Sequence, residues 1–299
     1  TGGRHPRIPW SALSGENGLK TARRPRTSAA LADRHSELVK NFTKTLDPKN
    51  STSSLLKFFA RKVSKILMNS MLKLSAVLVA TTVSLNAAEI TGKVTLKGTP
   101  PPAAPIPALA ADPNCAKVAV GEAKSRVYVV GANGALANTV VSIKKGLEGK
   151  TFTPPEAKVE IDQAGCMYYP YVSAVMVGQK FDVKNSDPFM HNVNATPKLN
   201  KGFNFAQATK GQVNEKVFDK PELGVRFACN VHPWMIAYVN VMENPFFVVT
   251  DDKGTFSIKG DIPDGKYTLE AYHQKAGALT QEIEIKGGKA TTDFAFDVK

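Results

Sequence analysis

The sequence predicts an all-β protein made of short strands packed as sandwiches. Three observations lead there. Apolar residues recur at every second position, as in "EITGKVTLKG", where Ile90, Gly92, Val94 and Leu96 share one face. Turn signals separate such runs, notably Asp-Lys-Gly at 252–254 and Pro-Asp-Gly at 263–265. No segment holds a 3.6-residue apolar period for more than a turn or two, and β-branched residues fill the apolar positions.

The front of the chain is of a different kind. Residues 1–88 hold 15 Lys/Arg against 4 Asp/Glu, whereas 89–299 hold 24 against 22. Of the formal charge of +13, the leader therefore carries +11 and the rest of the chain +2, and nothing in the strand-forming part calls for a nucleic-acid partner. Residues 1–67, rich in Arg, Lys, Ser and Thr, read as a non-native or disordered leader translated from a misplaced start, with a transit peptide as the alternative. Residues 68–88 have the shape of a secretory signal peptide. Lys73 is the basic end, Leu74 to Leu85 the apolar run, and Asn86-Ala87-Ala88 the small-residue cleavage site. That run of 12 residues is short of the roughly 20 needed to span a bilayer. The expected location is periplasmic or secreted, with no stable membrane span after cleavage.

Residues 89–156 supply N-terminal strands, "SRVYVVG" and "NTVVSIKKG" among them, and the Pro/Ala-rich stretch "TPPPAAPIPALAADPN" at 99–114, which reads as an extended connection. Whether these strands join the middle or the end of the chain stays open. Residues 157–243 contain "KVEIDQ", "SAVMVGQKFDVKNS", "VRFACNVH" and "AYVNVM", a first sandwich. A seam falls at "ENPFFVV", and 244–299 read as a second, small β-sandwich of hairpins.

Chemistry concentrates at "FACNVHPWMIAYV". Cys229, His232 and Met235 follow one another as Cys-x2-His-x2-Met between two strand-forming runs. Two imidazoles, one thiolate and a weak axial thioether are the donor set of a blue-copper site. Cu(I) is soft and favours sulfur, imidazole serves both oxidation states, and a short loop between strands holds the donors still. Zinc more often takes three or four Cys/His ligands and no methionine. Beyond residue 88 the chain has three histidines, His191, His232 and His273, so the second imidazole is His191 or His273. His191, in "NSDPFMHNVNAT", is the choice, because a Greek-key sandwich can bring its loop beside the Cys229 loop. His273 reads as a surface or strand-end histidine. Asn192 either forms a turn or locks the two loops, by its side chain or by aiming its N–H at the thiolate. The three cysteines are Cys115, Cys166 and Cys229. Export implies an oxidising compartment, and an odd count leaves one thiol over. If Cys115 pairs with Cys166, the spare thiol is Cys229, where an ion would need it. Pro188, Phe189, Pro233 and Trp234 surround the two histidines, either as core or as an apolar docking patch.

"MHNV" followed by "CNVHPWM", with "MYYPYVSAVMVGQKFDVKNSD" upstream, resembles the cupredoxin (blue-copper) family in its amicyanin- and plastocyanin-like form. The resemblance covers about 157–243 and implies a Greek-key β-sandwich with one type-1 copper held by His191, Cys229, His232 and Met235. It also implies electron exit at the edge of His232, into a periplasmic redox partner docking near Phe189, Pro233 and Trp234. The tail at 244–299 is similar to carboxypeptidase-regulatory-like, or transthyretin-like, β-domains. Such a tail implies no peptidase activity. The chain shows no Gly-x-Ser-x-Gly elbow, His-Glu-x-x-His helix or phosphate loop, so no enzyme activity is expected. Two other readings compete with electron carriage: a copper trafficking or sequestration module, and a cell-envelope β-domain without metal.

Overall fold

The computed structural model describes residues 87–119, 121 and 123–299. The expected leader and signal peptide lie outside these residues, except for Ala87 and Ala88, the latter of which opens the first strand. The elements run β1 (Ala88–Lys97), α1 (Pro107–Ala111), α2 (Cys115–Val118), β2 (Val140–Lys145), β3 (Val159–Ala164), β4 (Met167–Tyr169), β5 (Val172–Met176) and β6 (Phe181–Asn185). Then come β7 (His191–Thr196), β8 (Phe203–Gln207), β9 (Val213–Lys216), β10 (Glu222–Ala228), β11 (Ile236–Met242) and β12 (Phe247–Val249). The chain ends with β13 (Thr255–Gly260), β14 (Gly265–His273), β15 (Gly277–Ile285), β16 (Lys289–Thr291) and β17 (Phe294–Asp297).

The strands form two sandwiches. In the first, a sheet ordered β5-β11-β10-β7-β8 faces a sheet ordered β4-β3-β6-β9. Ile161, Phe181 and Val183 from one sheet meet Val193, Phe227 and Val239 from the other, all with no exposed surface. Strand periodicity does this: inward residues alternate along β6 as Phe181, Val183, Asn185 and along β7 as His191, Val193, Ala195. In the second, β13-β1-β16, with β17 also on β1, faces β12-β2-β14-β15. Its core joins Ile90, Val94 and Phe294 to Val141, Ile143 and Leu269.

Strand pairing settles what periodicity left open. β1 lies centrally between β13 and the β16–β17 edge, and β2 lies between β12 and β14. The tail is thus not closed by its own hairpins. The N-terminal strands complete it, and the first sandwich is inserted between them. Val140, Tyr171, Val172, Ala174 and Met242 form a separate apolar cluster where the two sandwiches meet. In β10 the register shifts between Glu222 and Val225. Gly224, at φ +70°, makes that bulge, and an added Cβ would stand 2.5 Å from the Tyr272 hydroxyl.

The Pro/Ala-rich stretch departs from the extended connection expected of it. It contains one single-turn helix, α1, and a second, α2, follows directly after it. Pro107 begins the first, where its missing N–H costs nothing, and Ala108, Ala110 and Ala111 favour the helical backbone. The Asp112 carboxylate accepts the N–H groups of Asn114 and Cys115, each at 2.9 Å, and so starts the second turn. Leu109 and Cys115 are buried in the core of the first sandwich.

His273 ends β14 as a strand-end residue, but it is fully buried. Its ring stacks on Tyr128 with centroids 5.4 Å apart. Nδ1 accepts the N–H groups of Lys275 and Ala276, at 3.3 and 3.2 Å. Burial pushes its pKa down to about 4. The unfolded chain therefore takes up a proton near pH 6.5 that the folded chain refuses until about pH 4. Stability rises with pH across this window and is lost as pH falls through it, by about 2 kcal/mol at pH 5. Denaturant unfolding at pH 7 and pH 5 should show this loss. His273→Gln should remove most of it, and an unchanged difference would contradict the assignment.

Candidate metal centre

β7 and β10 are antiparallel neighbours, with Phe227 opposite Ala195 and Ala228 opposite Asn194. The start of β7 and the end of β10 therefore lie at the same end of the sheet. The inward columns, His191-Val193-Ala195 on β7 and Val225-Phe227-Cys229 at the end of β10, bring His191 and Cys229 together as buried side chains. The loop from Cys229 to Met235 closes on itself. The N–H of Cys229 donates to Met235 at 3.1 Å, and the N–H of Met235 to His232 at 2.9 Å. This turn folds His232 back over the sheet end and buries Met235 completely.

Three donor atoms converge. His191 Nδ1 and His232 Nδ1 are 3.0 Å apart, and Cys229 Sγ is 3.6 Å from His232 Nδ1. All three ligand atoms lie within 4.8 Å of one another, and all three residues are buried. A metal ion sits about 2.0 Å from an imidazole nitrogen and about 2.3 Å from a thiolate. Donors sharing one ion then stand roughly 3 to 4 Å apart, which is the spacing found. Met235 lies in the same apolar cluster as Cys229.

The surroundings orient these donors and shift their protonation. Asp187 Oδ2 lies 2.8 Å from His191 Nε2, so Nε2 carries the proton and the Nδ1 lone pair points at the centre. The same carboxylate accepts the N–H groups of Gly165 and Cys166, at 2.7 and 2.9 Å. Both residues sit at positive φ, 59° and 56°, in the tight turn between β3 and β4. Burial pushes the Asp187 carboxyl up, but the His191 contact and these N–H groups outweigh it and leave it below its ordinary value. Burial likewise opposes the Cys229 thiolate. The His191 contact and the N–H groups of Asn192, His232 and Val231 reverse that and lower its pKa. His191 is raised despite burial, by Asp187 and Cys229, while burial and the neighbouring His191 lower His232.

Asn192 does both things its position suggested. Its backbone N–H donates to Cys229 Sγ at 3.3 Å, and its side-chain oxygen accepts the N–H of Asn230 at 3.2 Å. Its amide nitrogen donates to Asn204 and Phe205, tying the loop to β8 as well. Cys115 and Cys166 form a disulfide and Cys229 stays free. Phe189 and Trp234 are half-buried, with ring centroids 6.3 and 5.3 Å from that of His232. Trp234 also donates its Nε1–H to Cys166 at 3.1 Å, so it packs as well as faces the site. Pro188 and Pro233 are exposed. His273 ends β14 in the other sandwich and is in none of these donor groups.

Comparison with known proteins finds likeness only to solved structures, and at low similarity. No family profile and no curated protein sequence matches this chain. Among solved structures, a purple cupredoxin from Nitrosopumilus maritimus is 23% identical over 28% of this chain and 99% of its own, at a TM-score of 0.25. An oxidised amicyanin mutant is 18% identical over 34% of this chain and 97% of its own, at 0.26. A copper-containing nitrite reductase from Thermus scotoductus SA-01 is 22% identical over 33% of this chain, at 0.26, and the match spans only 25% of that enzyme. Each likeness covers about a third of the chain or less, and the donor geometry carries the metal-site reading by itself.

Two residues of the site escaped the sequence reading. Asp187 stands four before His191, and that spacing beside a ligand candidate was an available signal. Asp112, whose Oδ2 is 4.0 Å from His232 Nε2, comes from a segment 120 residues earlier in the chain and had no local signal. Asp187→Ala would strand the His191 Nε2–H and two backbone N–H groups. It should cost about 1–3 kcal/mol in the metal-free protein and about 10–100-fold in metal affinity. Thermal melts and a copper titration check both; unchanged affinity would mean that Asp187 does not orient His191.

Proposed function

We propose that the first sandwich is a cupredoxin-type copper domain that carries single electrons. His191, Cys229 and His232 would hold the ion as strong donors, and Met235 would add a weak thioether. The observation that carries the reading is the free Cys229 sulfur, held by the Asn192 N–H within 4.8 Å of two inward-facing imidazole nitrogens. Bound copper would supply a one-electron Cu(I)/Cu(II) couple at this point. The chain supplies constancy. Asp187 fixes the His191 ring, Asn192 fixes the sulfur, and the closed loop fixes His232 and Met235. Burial excludes water from all four, so the donors need not rearrange between oxidation states.

The reading extends to an exported protein, periplasmic or secreted, with a periplasmic redox protein as partner. It is supported by the signal-like stretch at 68–88, the Cys115–Cys166 disulfide, and the finding that no helix among the described residues is long and apolar enough to cross a membrane. The tail sandwich, completed by β1 and β2, fits a carboxypeptidase-regulatory-like accessory domain with no catalytic part. The partner would dock on the apolar residues around the copper end: Pro188, Phe189, Met190, Val231, Pro233 and Trp234. Met190 and Val231 are the most open of the large ones, at 46% and 49% exposure. One observation favours copper trafficking or sequestration instead: His232 is 4% exposed, with the α1–α2 segment beside its Nε2 edge.

Adding Cu(II) to the protein should produce an intense visible band from thiolate-to-copper charge transfer. Cys229→Ser should abolish it. Met235→Leu should keep the colour and raise the reduction potential. A colourless copper-loaded protein would overturn the type-1 reading.

Electron exchange through the apolar patch can be tested without a partner, by the electron self-exchange rate measured by NMR. Met190→Lys sets like charges face to face in the encounter. It should slow the rate at least about ten-fold with the visible band unchanged. An unaltered rate would remove this patch from the docking surface.

A further inference from the structure

The His232 ring stands between two donor sets. Its Nδ1 faces His191 and Cys229, as described above. Its Nε2 edge faces Asp112, whose Oδ2 is 4.0 Å away and whose Oδ1 accepts the N–H of Cys115. The ligand atoms of Cys115, Cys166 and His232 also lie within 4.8 Å of one another, all three residues buried. Two buried triads thus share one imidazole. While Cys115 and Cys166 are joined, their sulfurs carry no thiolate charge and cannot serve as strong ligands. Separated, they would be two soft donors beside a third ligand that is already in place.

The segment that carries Cys115 is built to open locally. α1 has five residues and α2 four, and Ala108, Ala110, Ala111, Ala116 and Lys117 are exposed. Leu109 and Cys115 are its buried anchors. Ile106, Val118 and Ala119 pack beside them, and Ile106 N–H to Ala123 with Ser125 N–H to Ala104 ties the flanks; freeing these contacts is the local opening that admits a reductant to buried sulfur. Asp187 and Trp234 bind the backbone of Cys166 from the other side, so that half of the pair stays in position when α2 moves.

We propose that Cys115, Cys166 and His232 form a second metal site, closed by the disulfide and opened by its reduction, which takes a soft ion of the Cu(I) or Zn(II) class. The opening step is thiol–disulfide exchange with a dithiol. One thiolate of the dithiol attacks a cystine sulfur and releases the other as a thiolate. The second thiol then attacks the mixed disulfide, and the dithiol leaves as its cyclic disulfide. Two electrons pass to the cystine, and the two protons of the dithiol end on Cys115 and Cys166. Ion binding displaces those protons, and two thiolates with one imidazole favour soft ions. The site shares His232 with the copper centre proposed above but does not need that centre to hold an ion.

The test uses the full chain carrying Cys229→Ser, so that Cys115 and Cys166 are its only thiols, with Cd(II) as the probe. A trialkylphosphine opens the disulfide. It takes oxygen from water to become its oxide, and it brings no thiol to compete for the metal. Before reduction no thiolate-to-cadmium ultraviolet band is expected; after it, one equivalent of Cd(II) should bind with that band. Adding His232→Gln should weaken binding at least about ten-fold. No band after reduction, or an affinity indifferent to His232→Gln, would overturn the proposal. If Cys229→Ser does not fold, the unsubstituted chain is compared before and after reduction. Its band should grow about three-fold, from one thiolate to three, and an unchanged band would again overturn it. Failure of the copper reading shows separately, as the absence of a visible band in the disulfide-bonded protein with Cu(II).

Discussion

Antiparallel pairing of β7 with β10 is the constraint on which the site depends. It sets Ala228 opposite Asn194, and from that register the Asn192 N–H reaches the Cys229 sulfur at 3.3 Å. A slip by one residue would turn His191 outward and bury Asn192 in its place, because side chains alternate along a strand. The inward columns of Val193, Ala195, Val225 and Phe227 prevent that slip, since it would also expose their apolar surface. The core of the sandwich and the aim of the donors are therefore one feature. The hydrophobic pattern that folds the sheet is the pattern that brings the His191 and Cys229 donors together.

Around this pairing the chain builds a rigid frame from short polar contacts. Asp187 joins His191 to the β3–β4 turn, Trp234 joins the ligand loop to the same turn, and the disulfide joins that turn to α2. His191, Cys229, His232 and Cys166 are thus linked through a few bonds across both sheets. Such a frame holds two imidazole nitrogens 3.0 Å apart, close enough to share one ion. It suits a centre whose donors must not rearrange. It also places the Cys115–Cys166 disulfide against His232, a neighbour that an electron carrier alone does not require.

Much of this was legible in the sequence, and the limits follow from physics. Strand alternation marked β1, β6, β10 and β14, and Cys-x2-His-x2-Met marked the ligand loop, because both signals are local. Asn192 was legible through its place beside His191. The partnership of β1 and β2 with the tail was not, since it joins residues more than 100 positions apart and periodicity carries no pairing information. The two helical turns at 107–118 were hidden by proline content, although Pro107 sits where a helix tolerates it. His273 read as a surface or strand-end histidine because nothing near it in sequence announces Tyr128 and Phe296, which cover it. Asp112 reaches His232 only through the disulfide-linked segment, so its place at the site was visible only in three dimensions.

The central claim is that one copper ion is bound by His191, His232 and the Cys229 thiolate. Electron paramagnetic resonance of the Cu(II)-loaded protein tests it most directly, because a short, covalent bond to sulfur spreads the unpaired spin onto the thiolate. The account predicts a narrow parallel copper hyperfine splitting, well below that of ordinary tetragonal copper, and its loss in Cys229→Ser. A wide tetragonal splitting that is the same in both proteins would place the ion elsewhere and contradict the account.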